Sequence, residues 1–539
     1  MSKIASYLAS HLRGEVLSGK DVRTELSADG SVLKAMPILA AYPYDTNDLR
    51  KATHFAWQLA QKGHVLPLTV RGSGSSKVGA AIGSGAILSM PTHFDTIFEV
   101  DTKQKLARLQ PGVSVANLQQ TMRTHGLQWP VDVANPNGTV GGAIANNSYG
   151  AGAIKFGDAC GWVDQLELVL SNGDVLQTGR MSKRQLSKKK GLSGSEGEIY
   201  RKLDALIDDN QETIDGLSQK QTSAGYGIAR VKDRKGNFDL TPLIAGSQGT
   251  LGIISEAILK LGVYHPQKET IAATLSSTDN IDQIVNAVTK YSPDKLEYVD
   301  GPSLEQIDIN LADILPDDDP DTKPAGILFI ELSDVGRKAK AKAKKIAKTI
   351  EKLGHQTAIS DGDIESAGEI WQIYSRVQTA LSQSGDDHKA SAPVVDDALL
   401  PVSEVVHFIE AAHDLAKSHR TKLLFSAHLG TGVVHAHALL DLKNLSDRNK
   451  VSKLVDEYYQ LVLKHDGGIA GEYAEGRSRV EQNSIQFTSS ELELFAKIKE
   501  IFDVNNIFNP GVKIASSKDT AKLNEDYNSG KFADNLPRL

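Results

Sequence analysis

The sequence predicts an α+β protein built from unlike parts, and three features predict it. In the first half, strand-like runs feed loops made almost wholly of glycine and small polar residues. From about residue 264, strands and helices alternate, as expected for helices laid on one face of an antiparallel sheet. That unit then recurs: a helix near 402–417, strand KLLFSAH, a glycine turn, strand VVHAHAL and a helix at 446–464.

Composition bounds what such a fold can do. The chain has 539 residues, room for about two to four domains. Hydrophobic residues make up 40% and charged residues 24%, which suits a globular protein and argues against global disorder. The net charge of −7 argues against a general nucleic-acid coat. Cys160 is the one cysteine, so no disulfide framework and no four-cysteine iron–sulfur or zinc site can be built from this chain alone. A metal would have to rest on His, Asp and Glu. No stretch approaches the roughly 20 apolar residues of a spanning helix, and MSKIASYLASHLRGEV does not read as a secretory signal. The expected location is cytoplasmic, with attachment to the inner face of a membrane left open.

The elements follow in order. In 46–62, Leu49, Ala52, Phe55, Ala56 and Leu59 share a helical face; Asp45 or Thr46 can cap its start and Gly63 its end. HVLPLTV reads as a strand, followed by the glycine-rich loop 71–85. FEV and LARLQ read as strands before the helix SVANLQQTMRTHG. Segment 130–150 is too rich in Gly, Asn and Pro for a long helix and reads as a loop with a short apolar turn inside. QLELVL and VLQTG form a hairpin about Asn172-Gly173. Lys188–Lys190 reads as a solvated loop, and Ile199, Leu203, Leu206 and Ile207 as the face of a following helix. After 264 come IAATLSS, a helix near 279–291, LEYVD, GILFIELS, and a lysine-rich helix at 337–353 with Ile346, Ile350 and Leu353 as its apolar stripe.

Three loops stand out chemically. Arg71-Gly72-Ser73-Gly74-Ser75-Ser76-Lys77-Val78-Gly79 follows a strand, and closely spaced glycines let backbone N–H groups converge on an anion. It lacks the G-x-G-x-x-G spacing of a dinucleotide fingerprint. Gly138 to Ser148 and Gly246 to Gly252 have the same character. Three such loops in one half point to one large, polar, phosphate-bearing ligand.

RGSGSS-x-x-G, then GTVGGAIANNSYG with KFGD, then GSQGTLGIISE, then NPG at 509–511 resemble the FAD-binding fold of the vanillyl-alcohol oxidase/p-cresol methylhydroxylase (PCMH) superfamily. Within it the chain is most similar to the FAD-linked D-2-hydroxyacid dehydrogenases: D-lactate dehydrogenase, the glycolate oxidase FAD subunit and D-2-hydroxyglutarate dehydrogenase. The resemblance runs from about 35 to 513. It implies a PCMH-type two-subdomain FAD-binding domain with an inserted antiparallel-sheet, helix-covered cap domain. The boundaries are then 1–34, an N-terminal arm; 35–263, the FAD-binding domain; 264–490, the FAD-linked oxidase cap; 491–514, the return to the FAD domain; and 515–539, a flexible tail.

The resemblance also assigns residues. The FAD contacts it implies are Arg71, Gly72, Ser73, Gly74, Ser75, Ser76 and Gly79 in the first loop. In the second they are Pro136, Gly138, Thr139, Gly141, Gly142, Ala145, Asn146 and Asn147. In the third they are Gly249, Thr250, Gly252, Ile253 and Ile254, joined by Asn509 near the flavin ring. Ser75 stands where some relatives carry a flavin-linked His, so FAD is expected to be non-covalent, and Cys160 reads as a small buried residue.

In the cap, His428 and His435 flank a glycine turn and Glu472 follows in Gly471-Glu472-Tyr473. Two imidazoles and a carboxylate suit a catalytic divalent metal, although on spacing alone a His pair in a sheet is more often structural. The family has H-x-G-D-G-N-x-H and a later G-E-H-G, with both His and the Glu as metal ligands in several members, so His428, His435 and Glu472 are expected to hold an ion such as Zn or Mn.

The departures are specific. Thr431 and Val433 replace the motif's Asp and Asn, Gln248 replaces a common Glu, and Tyr473 replaces the His expected as general base. Tyr473 or His437 would then take that role, or a metal-bound alkoxide would suffice without a protein base. Trp371 is followed by Tyr374, with Arg376 two positions on as the carboxylate clamp.

The implied activity is that of an FAD-dependent dehydrogenase acting on CH–OH donors, D-lactate dehydrogenase-like. It would oxidise a D-2-hydroxy acid to the 2-oxo acid and pass electrons to a separate acceptor: a quinone, a cytochrome, an electron-transfer flavoprotein or an iron–sulfur subunit. Two alternatives stay open: the same fold acting on another alcohol or sugar acid, and a non-catalytic flavin-binding subunit.

Overall fold

In a computed structural model, described over residues 3–307, 323–334, 338–360, 364–385 and 388–515, the chain forms three sheets with their own cores. The first sheet runs Glu15–Leu17, Leu39–Tyr42, Ala86–Ser89, Leu68–Arg71. Its last three strands are parallel and the first is antiparallel. Helix Thr46–Gln61 covers it, started by the Asp45 carboxylate accepting from the Asp48 N–H, and buries Leu49, Ala52 and Ala56.

The start of the expected N-terminal arm packs on this sheet. Helix Lys3–His11 buries Ala5 and Leu8 in the same core, and Glu15–Leu17 pairs with Leu39–Tyr42. The reason is local: Ala5, Leu8 and Leu12 lie three and four residues apart and so share one helical face, although charges interrupt them in the linear sequence.

The second sheet is antiparallel, in the order Ile97–Asp101, Leu106–Leu109, Ile253–Lys260, Val163–Val169, Val175–Gln177. Helices Val115–Thr124 and Ser195–Asp209 pack into its core. The hairpin about Asn172-Gly173 forms as expected. Lys188–Lys190 do not form a loop. They end helix Lys183–Lys190, which a Ser182/Gln185 capping box starts, and Lys189 and Lys190 pair with Glu196 and Asp204.

The third sheet is antiparallel throughout: Gln356–Ile359, Lys268–Leu275, Gly326–Ser333, Lys295–Asp300, Leu423–His428, Val433–Leu440, Ala390–Ala392, with Ala398–Leu399 also on Val433–Leu440. Four helices, Ile281–Thr289, Lys338–Lys352, Val405–Ser418 and Leu445–Lys464, fill the core on one face. A fifth, Ile364–Gln383, lies on the other, where Tyr374, Val377 and Leu381 meet Val299, Phe329 and Leu424. The helices are therefore not confined to one face.

The period of two along each strand sorts its residues between those faces. Leu423, Phe425 and Ala427 join the larger core, whereas Ser426 and His428 take the other face with Leu424. The same alternation brings Lys295, Glu297, His435, His437 and Ser391 to that second face. Finally, helix Ser489–Phe502 returns to the second core and Ile507 and Phe508 to the first. There the Leu68 N–H donates to the Ile507 carbonyl (2.7 Å) and the Asn509 N–H to Leu68 (2.9 Å). Among the described residues, no helix is long and apolar enough to cross a membrane. The tail expected at 515–539 lies, apart from residue 515, outside them.

Candidate active site

A cavity of about 500 Å³ runs from the three glycine-rich loops to the cap's second face. Its wall includes Gly72 to Ser76, Pro136, Gly138, Thr139, Gly141, Gly142, Ala145, Asn146, Gly249, Gly252, Ile253 and Ile254, all expected, together with His428, His435, His437, Glu472 and Tyr473. Sequence segments some 400 residues apart thus line one space.

The loop backbones explain why small residues are needed there. A Cβ on Gly72 would lie 2.3 Å from the Thr139 Oγ1, so only glycine lets the first two loops touch. Gly249 has φ +68°, and a Cβ there would meet no protein atom within 4 Å. Among the described residues, the amides of Ser73, Gly74, Ser75 and Ser76 have no protein acceptor. Donors converging beside open space are what a diphosphate requires, so these loops fit FAD.

Five expected contacts do not line the cavity; they brace the loops from behind. The Arg71 guanidinium donates to the carbonyls of Ala28 (2.9 Å) and Ala81 (3.3 Å). Gly79, at φ +71°, packs against Leu33 and Arg477. Asn147 ends helix Val140–Asn146 and bonds Asp158 and the Cys160 N–H. The Thr250 hydroxyl bonds Ser247 and Tyr226. The buried Asn509 amide donates to Ala80 and Gln248 (both 2.9 Å) and accepts from Thr69 and Arg477. It ties the first and third loops to the chain's return, which is physically why it sits far along the sequence from both. Cys160 is buried, and burial pushes its thiol up to about 11.

Gln248, the departure from Glu, has a local reason. Its Nε2 donates to Asn146 Oδ1 (3.1 Å) and to the Tyr473 carbonyl (2.9 Å), while its Oε1 accepts from the Gly476 N–H (2.9 Å). An ionised Glu in this place could accept but not donate, whereas the amide does both. It joins the second and third loops to the segment carrying Glu472.

At the cap end, His428 Nε2, His435 Nε2 and Glu472 Oε2 form a triangle with sides of 3.3, 3.4 and 3.5 Å. A tetrahedral ion about 2.1 Å from each donor keeps its donors about 3.4 Å apart. Glu472 Oε2 is buried without a hydrogen-bond partner. Behind the triangle, Glu297 meets His428 Nδ1 (2.6 Å) and Asp396 meets His435 Nδ1 (3.0 Å), which turns both Nε2 atoms inward. Burial alone would lower both imidazoles. Glu297 and Glu472 instead raise His428 to about 10, and Asp396 and Glu472 raise His435 to about 9. The Glu472 carboxyl, which burial would raise, is held by the two rings at about 2. A field that favours protons on both rings also favours a dication between them, so the donor set fits a divalent ion.

Three expected catalytic residues separate here. His437 lines the cavity with its Nδ1 3.0 Å from the Ser391 Oγ, and burial with Lys77 nearby pushes it down to about 3, so the ring is neutral. Tyr473 also lines it; burial and Glu472 raise its hydroxyl well above the usual range. Arg376 is exposed and lies outside the cavity wall. Helical periodicity explains this: Trp371, Tyr374, Ser375 and Gln378 take the cavity side and position 376 the other.

Sequence reasoning missed Lys77, Lys295, Glu297 and Asp396. For Lys295 and Glu297 the signal was charge set among apolar strand residues in KLEYVD, since a buried charge needs a partner. Lys77 and Asp396 lie in loops, where no such alternation marks them.

Residues 37–179 match the FAD binding domain, and residues 265–512 match the C-terminal domain of the FAD linked oxidases. The chain is 26% identical to the D-2-hydroxyglutarate dehydrogenase of Pseudomonas putida, covering 93% of this chain but 50% of that protein, so it spans about half that relative's length. It is 26% identical to the glycolate oxidase subunit GlcD of Bacillus subtilis, with 91% of each chain covered. Its fold is that of p-cresol methylhydroxylase, at a TM-score of 0.67 and 15% identity over 95% of this chain and 96% of that one.

Proposed function

Since this chain belongs to the FAD-linked oxidases, with a PCMH-type FAD-binding domain and a cap, we propose that it oxidises a D-2-hydroxy acid to the 2-oxo acid and passes the electrons to a separate acceptor. The observation that carries this is the His428–His435–Glu472 triangle facing the same cavity as the three glycine-rich loops. FAD, when bound along those loops, supplies the hydride acceptor, and a divalent ion held by the triangle supplies Lewis-acid polarisation of the substrate's oxygens.

The chain's own residues do the rest. Glu297 and Asp396 fix the two imidazoles so that their Nε2 atoms converge. The glycine-rich backbone admits a flat ligand without side-chain interference. His437 lines the cavity where it can take the hydroxyl proton, and Ser391 at its Nδ1 orients the ring. Burial and Lys77 leave it a weak base, so the substrate's hydroxyl must be acidified for the transfer to proceed. Tyr473, whose hydroxyl stays protonated, packs its ring against His435 with centroids 5.4 Å apart and shapes the pocket. With one cysteine, the chain itself offers no iron–sulfur relay, so a quinone, cytochrome, electron-transfer flavoprotein or iron–sulfur subunit takes the electrons.

The test is one purified sample assayed for flavin spectrum and metal content, then mixed anaerobically with D-lactate, D-2-hydroxyglutarate and glycolate. At least one acid should bleach the flavin. His437→Asn should slow that bleaching about 100-fold or more, and Tyr473→Phe by less than about 10-fold. If the flavin stays oxidised with every acid while metal is bound, the substrate class is wrong. A second reading, another alcohol or a sugar acid, is favoured by Arg376 lying off the cavity and by Tyr473 in place of the family His. A wider substrate panel distinguishes the two.

A further inference from the structure

We propose that Lys295 binds a carboxylate of the substrate, and that Asp132 competes with the ligand for it. This deepens the preceding reading and rests on it. It begins from a gap: the expected clamp, Arg376, is on the wrong side of its helix, yet an acid substrate needs a cation. Among the described residues, the cavity wall holds two cationic side chains besides the imidazoles, Lys77 and Lys295. Lys77 is committed to Asp396 at 3.1 Å, where it helps neutralise the carboxylate behind His435.

Lys295 is placed differently. It lies two residues before Glu297 on one strand, about 7 Å along the same sheet face, and Glu297 holds His428. Its ammonium therefore reaches the cavity from the wall that carries the metal triangle. It stands over the Trp371 ring, 4.3 Å from the centroid, which leaves the charge poorly hydrated on that side. Its partners are Asp132 Oδ2 at 3.0 Å and Glu331 Oε1 at 3.9 Å, and Glu331 is itself taken by Lys268 at 2.7 Å.

Asp132 is the exchangeable partner. It comes from the loop of the flavin half, its side chain is 42% exposed, and it lines the cavity beside Lys295. A second cavity of about 610 Å³ shares Asp132, Val133, Pro136 and Lys295 with the first. The ion pair thus stands at the wall between two spaces, where an arriving carboxylate meets the ammonium and can take the place of Asp132.

A purely structural role for this pair would staple cap to flavin half and nothing more. The two roles differ in the sign of one variant's effect. Removing the Asp132 charge should weaken a staple but free Lys295 for a ligand.

The experiment uses the holoenzyme and oxalate, which carries carboxylates and no transferable hydride, titrated against the flavin's visible spectrum. Lys295→Met should raise the oxalate Kd about 30-fold, and Lys295→Arg should restore it to within about 3-fold. Asp132→Asn should lower the Kd about 3- to 10-fold, a gain that misfolding does not mimic. Arg376→Gln should leave it unchanged. In turnover, Lys295→Met should raise KM by more than it lowers kcat. If Lys295→Met keeps wild-type oxalate affinity and KM, or if Asp132→Asn weakens binding, the assignment to Lys295 fails while the hydroxy-acid reading stands. If the wild-type flavin is reduced by no hydroxy acid and its spectrum ignores oxalate, both fall together.

Discussion

Under the proposed function, Glu472→Gln should abolish divalent-ion binding and lower kcat/KM for the hydroxy acid about 1000-fold, equivalent to roughly 4 kcal/mol, with FAD still bound. The charge balance gives the reason. Once its rings give up their protons to an ion, the triangle offers two neutral donors and one anion, with Glu297 and Asp396 set behind the rings. Removing the one anionic donor leaves two imidazoles whose Nε2 atoms are 3.3 Å apart. Protons then compete with the ion for both nitrogens. Glu297→Gln should do less, about 10- to 100-fold in metal affinity, because it loosens the orientation of His428 and deletes no donor. Metal analysis and anaerobic flavin reduction on the same preparations check both. Glu472→Gln protein that keeps a stoichiometric ion and full turnover would sink the metal assignment.

The legibility of this site followed sequence distance. The loops could be read because their chemistry is local: Gly72 to Gly79 or Gly138 to Asn147 announce a side-chain-poor backbone within a few residues. The metal triangle could be read because two donors flank one turn and the family motif supplied the third. What depended on tertiary packing could not be read. Glu297 reaches His428 only through the register that sets them opposite each other on neighbouring strands. Asp132 reaches Lys295 only because the cap folds down on the flavin half. Arg376 lies off the cavity wall for the opposite reason: its motif was matched by proximity in sequence, where two positions turn a side chain about 200° around a helix. Asn509 was found from its motif, but the bonds its amide makes to Ala80, Gln248, Thr69 and Arg477 could not be read there, because those partners lie far from it in the sequence. The N-terminal helix was missed because Ala5, Leu8 and Leu12 bury against strands that sequence inspection does not bring near them.

The residue whose loss should most damage the fold lies behind the site. Arg479→Met should cost about 3–5 kcal/mol of stability, and the variant should also lose metal. The Arg479 guanidinium is buried and donates to the carbonyls of Asp396 (2.6 Å), Asp397 (2.9 Å) and Ala474, and to the Asp397 carboxylate (3.1 Å). That carboxylate in turn accepts the N–H groups of Glu472 (2.6 Å) and Tyr473 (2.7 Å). One cation therefore holds the backbone that presents a metal ligand. Methionine fills much of the space but strands the Asp397 charge, and a buried charge without its partner is the costly half of a broken ion pair. Asp397→Asn should be milder, since an amide oxygen can still accept an N–H from this segment. The double variant should be more stable than the sum of the two losses predicts, because the second change removes the charge the first one strands. Denaturant unfolding of the four proteins measures this coupling. Strict additivity would mean that Arg479 and Asp397 act independently, and the link from this ion pair to Glu472 would then be lost.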